Sequence, residues 1–327
     1  MPKGGADQIP ADDPTALGSE LGPALASATD GRLSDLRFFR TDWQRGGAAT
    51  ATGVWTAGDG TSREVVVKAP VGPVEHRFTR ALAQTDALTP RVAASGTELG
   101  AYDLAWLVME RLPGQTLAHG CTKRDVADFI QSAALFYARA LDTAGPPDEP
   151  PEPVDWARLV DRARAAVQAN AIPDQQRWKE ALKRVSRSLE GLVAEWRARP
   201  ARFWRHGDLH LGNAMRRPDG SAWGPAGCVL LDLDRVEPGH WVADAVYLER
   251  VYWDRPEALH KVKPVGAIAR ELKKLGVDPG EDYQRLATVR RALTAACTPA
   301  FLDREGAPAR LAAALGVLER SLADIGR

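Results

Sequence analysis

One stretch of this chain gathers residue types that do chemistry: His206-Gly207-Asp208-Leu209-His210-Leu211-Gly212-Asn213. Nineteen residues after Asn213 comes Asp232, where the apolar run Val229-Leu230-Leu231 gives way to Asp232-Leu233-Asp234. A carboxylate at 208 can orient a hydroxyl and accept its proton. An amide at 213 and a carboxylate at 232 offer hard oxygens of the kind that hold a divalent metal. A strand ending in alternate carboxylates would present these groups beside the loop.

The catalytic loop of protein kinases has the form H-R-D-x-x-x-x-N, followed by a metal-binding Asp. The interval from Asp208 to Asn213 is the same, with Gly207 in place of Arg and Leu233 in place of the Phe of D-F-G. This variant resembles the aminoglycoside phosphotransferase and choline kinase family of protein-kinase-like small-molecule kinases, over roughly residues 36 to 255. The resemblance implies an α+β bilobal fold, with a small antiparallel-sheet N-lobe and a larger, mainly helical C-lobe. It implies transfer of the γ-phosphoryl group of ATP (or GTP), with Mg²⁺, to a hydroxyl of a small molecule. Asp208 would take the hydroxyl proton, and Asn213 and Asp232 would hold the metal. His206 would brace the loop, and Asp244, following Pro238, would support it. His210 either lines the acceptor side or is buried and hydrogen-bonded. Asp234 is either a further group near the metal or a structural carboxylate. Lacking the Arg and the Phe, the chain reads as an enzyme without a phosphorylation switch.

Elements to position these groups can be read upstream. Leu36–Arg40, Ala51–Thr56 and Glu64–Lys68 read as three antiparallel strands, the last two joined by the hairpin signal Gly58-Asp59-Gly60-Thr61. The turn Gln44-Arg45-Gly46-Gly47 is small enough for backbone N–H groups to approach phosphates. By the resemblance Gly46 and Gly47 are nucleotide-binding and Lys68 contacts the α/β-phosphates. A helix is expected from about Val74 to Ala87. Its Glu75 would pair with Lys68 or merely favour the helix N-terminus; the family's usual register places Ala81 at the pairing position. Two further strands, Pro90–Gly96 and Ala105–Met109, lead to a hinge in which Met109 lies behind the adenine. The Glu110 carbonyl and Leu112 N–H would bond to the base. This organisation gives residues 1–32 as a mobile leader or peripheral helix, 33–112 as N-lobe and 113–327 as C-lobe.

Beyond the hinge the pattern turns helical. Val126, Phe129, Ile130, Ala133, Tyr137 and Leu141 share a helix face. The stripe Trp178, Leu182, Val185, Leu189, Leu192 and Trp196 reads as core packing.

Composition excludes other classes. Lys+Arg and Asp+Glu each number 43, so net charge gives no reason to expect nucleic acid or an anionic membrane as partner. No apolar run approaches the length of a membrane span, and three isolated cysteines without CxxC spacing suit a reducing, cytoplasmic setting. Oligomeric state is not legible.

The acceptor is open. Asp148, Glu149, Glu152, Asp155, Glu237, Glu249 and Asp254 are the carboxylates that would face a polyamine antibiotic if the acceptor is aminoglycoside-like. A sugar, an amino alcohol or a hydroxylated amino acid is the metabolic alternative, and a catalytically silent nucleotide-binding module is a third reading.

Overall fold

A computed structural model describes residues 14–39, 49–84, 88–147 and 153–326. Gly46 and Gly47, the expected end of the helix at 85–87, and Asp148, Glu149 and Glu152 lie outside the described residues. The chain divides into two compact units, Met1–Pro113 with Arg217–Ala226, and Gly114–Arg216 with Gly227–Arg327.

In the first unit, β1 (Leu33–Phe39), β2 (Ala49–Thr56), β3 (Ser62–Ala69), β4 (Val92–Gly96) and β5 (Trp106–Glu110) form one antiparallel sheet of order β1-β2-β3-β5-β4. Side chains alternate along a strand. In β3 this turns Val65, Val67 and Ala69 into the core and leaves Val66 and Lys68 on the opposite face. Pairing of Lys68 with Thr50 on one side and Leu107 on the other fixes its register in mid-sheet.

Helix α1 (Pro14–Ala28) belongs to this unit rather than to a detached leader, because Leu25 is fully buried beside Leu33, Trp55 and Trp106. Full burial of one such leucine contributes about 1.5–3 kcal/mol. Helix α2 (Pro73–Ala83) starts with Pro73 at its first position, where the missing N–H costs nothing.

The second unexpected member of the first unit is 217–226. Arg217 is buried and forks onto Glu110 at the end of β5, with Nε to Oε1 at 2.7 Å and Nη2 to Oε2 at 2.5 Å. The backbone N–H of Arg91 also donates to Glu110, and Trp223 packs on the core cluster. No charge pattern within 33–112 announces a partner over a hundred residues away.

The second unit is mainly helical: α3 (Lys123–Ala144), α4 (Trp156–Ala169), α5 (Gln175–Ala198), α6 (Val242–Val251), α7 (Pro264–Lys274), α8 (Tyr283–Ala296), the short α9 (Leu302–Glu305) and α10 (Pro308–Ile325). Thr122 and Asp125 form a reciprocal capping box that starts α3. The stripe on α5 is core, with Trp178, Leu182, Val185, Leu192 and Trp196 buried. Between α5 and α6 lie the short strands β6 (Phe203–Arg205), β7 (Ala214–Arg217), β8 (Gly227–Leu230) and β9 (Glu237–Gly239), paired β6 with β9 and β7 with β8. The polar stretch singled out in the sequence occupies the turns between these strands. No helix among the described residues is long and apolar enough to cross a membrane.

Candidate active site

The loop 206–213 is held from below by one carboxylate. Asp244, on α6 and fully buried, accepts the backbone N–H of His206 at 2.7 Å and of Gly207 at 3.1 Å. It also accepts the Tyr137 hydroxyl at 3.0 Å and lies 3.5 Å from Arg205 Nη1. A buried carboxylate is tolerable only when its oxygens are bonded in this way. The burden falls partly on Tyr137, whose phenol is kept protonated by burial first and by the Asp244 charge second.

His206 is fully buried, its ring packed 5.7 Å from Phe136, and neither ring nitrogen has a hydrogen-bond partner among the described residues. Burial holds its pKa below the ordinary value, which disfavours a charged ring. Gly207 has φ +81°, and a Cβ there would overlap the Arg235 carbonyl oxygen. Glycine is therefore demanded at the position where protein kinases carry Arg.

Asp208 is partly buried, and its Oδ1 accepts the Tyr247 hydroxyl at 2.6 Å. Burial first, then the hydrogen bond and charge of Asp208, raise the Tyr247 pKa far above that of a free phenol, so Tyr247 is a permanent donor. His210 Nε2 stands 3.6 Å from the same oxygen, beyond hydrogen-bond length. His210 Nδ1 accepts the Gly212 N–H at 2.9 Å, which assigns the ring proton to Nε2. Oδ2 of Asp208 accepts no hydrogen bond among the described residues. Tyr247 was not legible beforehand, since a tyrosine in an apolar helix reads as core.

Asn213 and Asp232 are brought together by backbone. The Leu231 N–H donates to the Asn213 carbonyl at 2.9 Å, so β8 delivers Asp232 next to the loop. The Asn213 amide donates Nδ2–H to the Asp208 carbonyl at 3.0 Å, which orients the group and leaves Oδ1 as a hard donor. Asp232 has φ +59°, a left-handed conformation that Asp tolerates better than most residues. Among the described residues no group of three or more His, Cys, Asp or Glu is placed to hold a metal by itself. One carboxylate and one amide oxygen suit Mg²⁺, which keeps waters and takes substrate phosphates as its remaining ligands. Asp234 is exposed in the 3-10 turn Leu233–Arg235.

In the first unit, Lys68 Nζ meets both carboxylate oxygens of Glu75, at 2.7 and 2.8 Å. Glu75 lies in the first turn of α2 and is buried, so one side chain faces the helix terminus and reaches the lysine. The alternative register through Ala81 is not used for this contact. Met109 is half-buried opposite Val66, and Glu110 and Leu112 are buried at the end of β5 and just beyond it.

The acidic residues considered for a polyamine acceptor are otherwise engaged where described. Asp155 caps α4, Glu237 pairs with Arg205, Glu249 forks with Arg291 at 2.6 and 2.9 Å, and Asp254 lies 3.5 Å from Arg310.

A model of the phosphotransferase enzyme family, APH, matches residues 47–314, the greater part of the chain. The chain belongs to this family. Family membership makes it a small-molecule kinase with a kinase-like α+β fold. Among solved structures, a glucosamine kinase superposes with a TM-score of 0.55 at 18% identity, covering 94% of this chain and 84% of that one. The same enzyme in complex with glucosamine, ADP and inorganic phosphate gives 0.53 at 17%, covering 99% and 100%. An aminoglycoside phosphotransferase from Alicyclobacillus acidocaldarius gives 0.53 at 16%, covering 92% and 94%. At such identities these likenesses speak to fold. No curated protein matches the chain in sequence.

Proposed function

We propose that this kinase transfers the γ-phosphoryl group of ATP or GTP to a hydroxyl of a small molecule, with Asp208 as the base. The observation that supports this reading best is the state of Asp208. One carboxylate oxygen is fixed by Tyr247, the backbone before it is pinned by Asp244, and the other oxygen is open.

The acceptor hydroxyl donates to Oδ2, which orients its lone pair and takes the proton late in the transfer. Asn213 and Asp232 would hold Mg²⁺, which when bound would neutralise charge on the phosphate oxygens. Lys68, kept in place by Glu75, contacts the α/β-phosphates. Gly46 and Gly47 are the glycines expected at the phosphates, and the base would lie at Met109, with the Glu110 carbonyl and Leu112 N–H as its partners. His210 acts as a turn-former, through its bond from Gly212, and Asp234 stays at the margin. The free thiols Cys121, Cys228 and Cys297 accord with a cytoplasmic setting.

The test is Asp208→Asn, assayed by release of ADP or GDP with an acceptor panel. Loss of turnover by about 10²–10⁴-fold, with nucleotide binding retained, is expected. A variant as active as the parent sinks the assignment.

A further inference from the structure

The second unit contains a cavity of about 380 Å³ that shares a wall with Asp208 through Tyr247. Its charge is unusual for an acceptor pocket. Arg250, Arg255, Arg304 and Arg310 line it, against two carboxylates, Asp254 and Glu305. Both carboxylates already serve arginines: Glu305 pairs with Arg250 and stands 3.6 Å from Arg310, and Asp254 lies 3.5 Å from Arg310. Positive charge is left over.

The surplus is visible residue by residue. The Arg250 Nε is buried without a hydrogen-bond partner, although its Nη2 reaches Glu305. Arg255 is exposed, its guanidinium stacked 5.2 Å from the centre of the Tyr252 ring instead of on a carboxylate. Arg304 is largely exposed, and its carboxylate neighbour among the described residues is Asp303, at 3.5 Å. Burial holds the Arg310 pKa below its ordinary value, with Arg250 adding to the effect. Guanidinium groups are suited to planar, two-pronged recognition of carboxylate or phosphate, and four of them line this cavity. Tyr247 and Arg250 are three residues apart on α6 and so neighbours on one helix face. Tyr247, which lines the cavity and donates to Asp208, is the side chain that joins the arginines to the carboxylate.

We infer that the phosphoryl acceptor is an anion, a small hydroxylated molecule whose carboxylate or phosphate is held by the arginines of this cavity. The inference rests on the kinase reading above and narrows its substrate. In the transfer, the acceptor O–H gives its proton to Asp208, and its oxygen forms the new bond to the γ-phosphorus. The bond from that phosphorus to the bridging oxygen breaks, and the nucleoside diphosphate leaves with the electron pair. The arginines take no proton; they hold the far end of the acceptor. Amino sugars and polyamines would bring further positive charge to a cavity already in surplus, where Glu305 and Asp254 each already face an arginine.

The experiment compares acceptors that share a skeleton and differ in charge: glucosamine, glucose, gluconate and glucose 6-phosphate, with glycerate and 3-phosphoglycerate as shorter probes. Nucleoside diphosphate release is read together with the mass of the product. Turnover is expected from an anionic member, with kcat/KM about tenfold or more above its neutral and cationic counterparts. Carboxylate and phosphate probes separate the two headgroups. The exposed Arg255→Gln and Arg304→Gln should raise KM for the anionic acceptor several-fold with kcat little changed. Arg184→Gln, on α5 outside the cavity, should do neither. Equal or better turnover of glucose or glucosamine overturns the inference, and so does turnover of none of the panel while metal-dependent nucleotide binding persists. Failure to bind nucleotide at all strikes instead at the kinase reading.

Discussion

Lys68 and Glu75, seven residues apart, meet as a two-pronged ion pair, with Nζ at 2.7 and 2.8 Å from the carboxylate oxygens. The strand end and the first turn of the following helix are thereby tied together. If the pair acts as a unit on the phosphates, Glu75→Ala should lower kcat/KM in the same manner as Lys68→Ala. The double variant should be scarcely worse than Lys68→Ala alone, a coupling of about 1–3 kcal/mol. Additive losses would remove Glu75 from the machinery and leave it a helix-terminus residue.

Tyr247 holds Asp208 by one oxygen at 2.6 Å. Tyr247→Phe keeps the ring and loses the donor, so the carboxylate gains rotational freedom. A fall in kcat of between about tenfold and a hundredfold is expected, with thermal stability nearly unchanged, because misplacing a reacting group by small distances is costly. An unaltered kcat would show that Asp208 needs no such restraint.

Nucleotide binding should depend on Mg²⁺, and the charged ligand should matter more than the amide. Asp232→Asn is the informative substitution because Asn also accepts the left-handed backbone at 232. Calorimetry should find the Mg²⁺-dependent gain in affinity reduced further by Asp232→Asn than by Asn213→Ala. Equal affinity with and without Mg²⁺ in the parent protein rules out both roles.

His240 is buried, and burial lowers its pKa from 6.5 to about 4. The unfolded chain takes up a proton at 240 below pH 6.5 while the folded chain does not until about 4. Stability from this residue is thus complete above 6.5 and is lost as pH falls toward 4, by about 3 kcal/mol in total. Replacement by Gln removes the titration. Denaturation midpoints for His240→Gln should accordingly fall less steeply across that window than those of the parent. Parallel curves would contradict the assignment.

The loop was legible in the sequence because its chemistry is local: Asp208 and Asn213 sit on one turn, and the apolar run before Asp232 declares its strand. The sheet around Lys68 was legible for a similar reason, through β-branched alternation and a short hairpin. What escaped is what the chain assembles across long separations. Tyr247 reaches Asp208 over 39 residues, Arg217 reaches Glu110 over 107, and the arginine cavity draws on α6, α9, α10 and the turns beside them. A charged or aromatic side chain carries no mark of a distant partner, so these relationships needed coordinates. Helix α1 was only faintly legible for the opposite reason: its weak amphipathic pattern rests on a few leucines, among them the fully buried Leu25.

The backbone crowding at Gly207 bears on what this enzyme can become. Protein kinases receive a regulatory phosphate on the Arg at that position, and here the Arg235 carbonyl oxygen fills the space where any side chain would begin. Acquiring such an arginine would require the turn at 233–235 to be rebuilt in the same step. A side chain at 207 alone would push against the turn that packs on the loop carrying Asp208. A phosphate-receiving arginine at this position is thus sterically closed to the scaffold unless that turn moves with it.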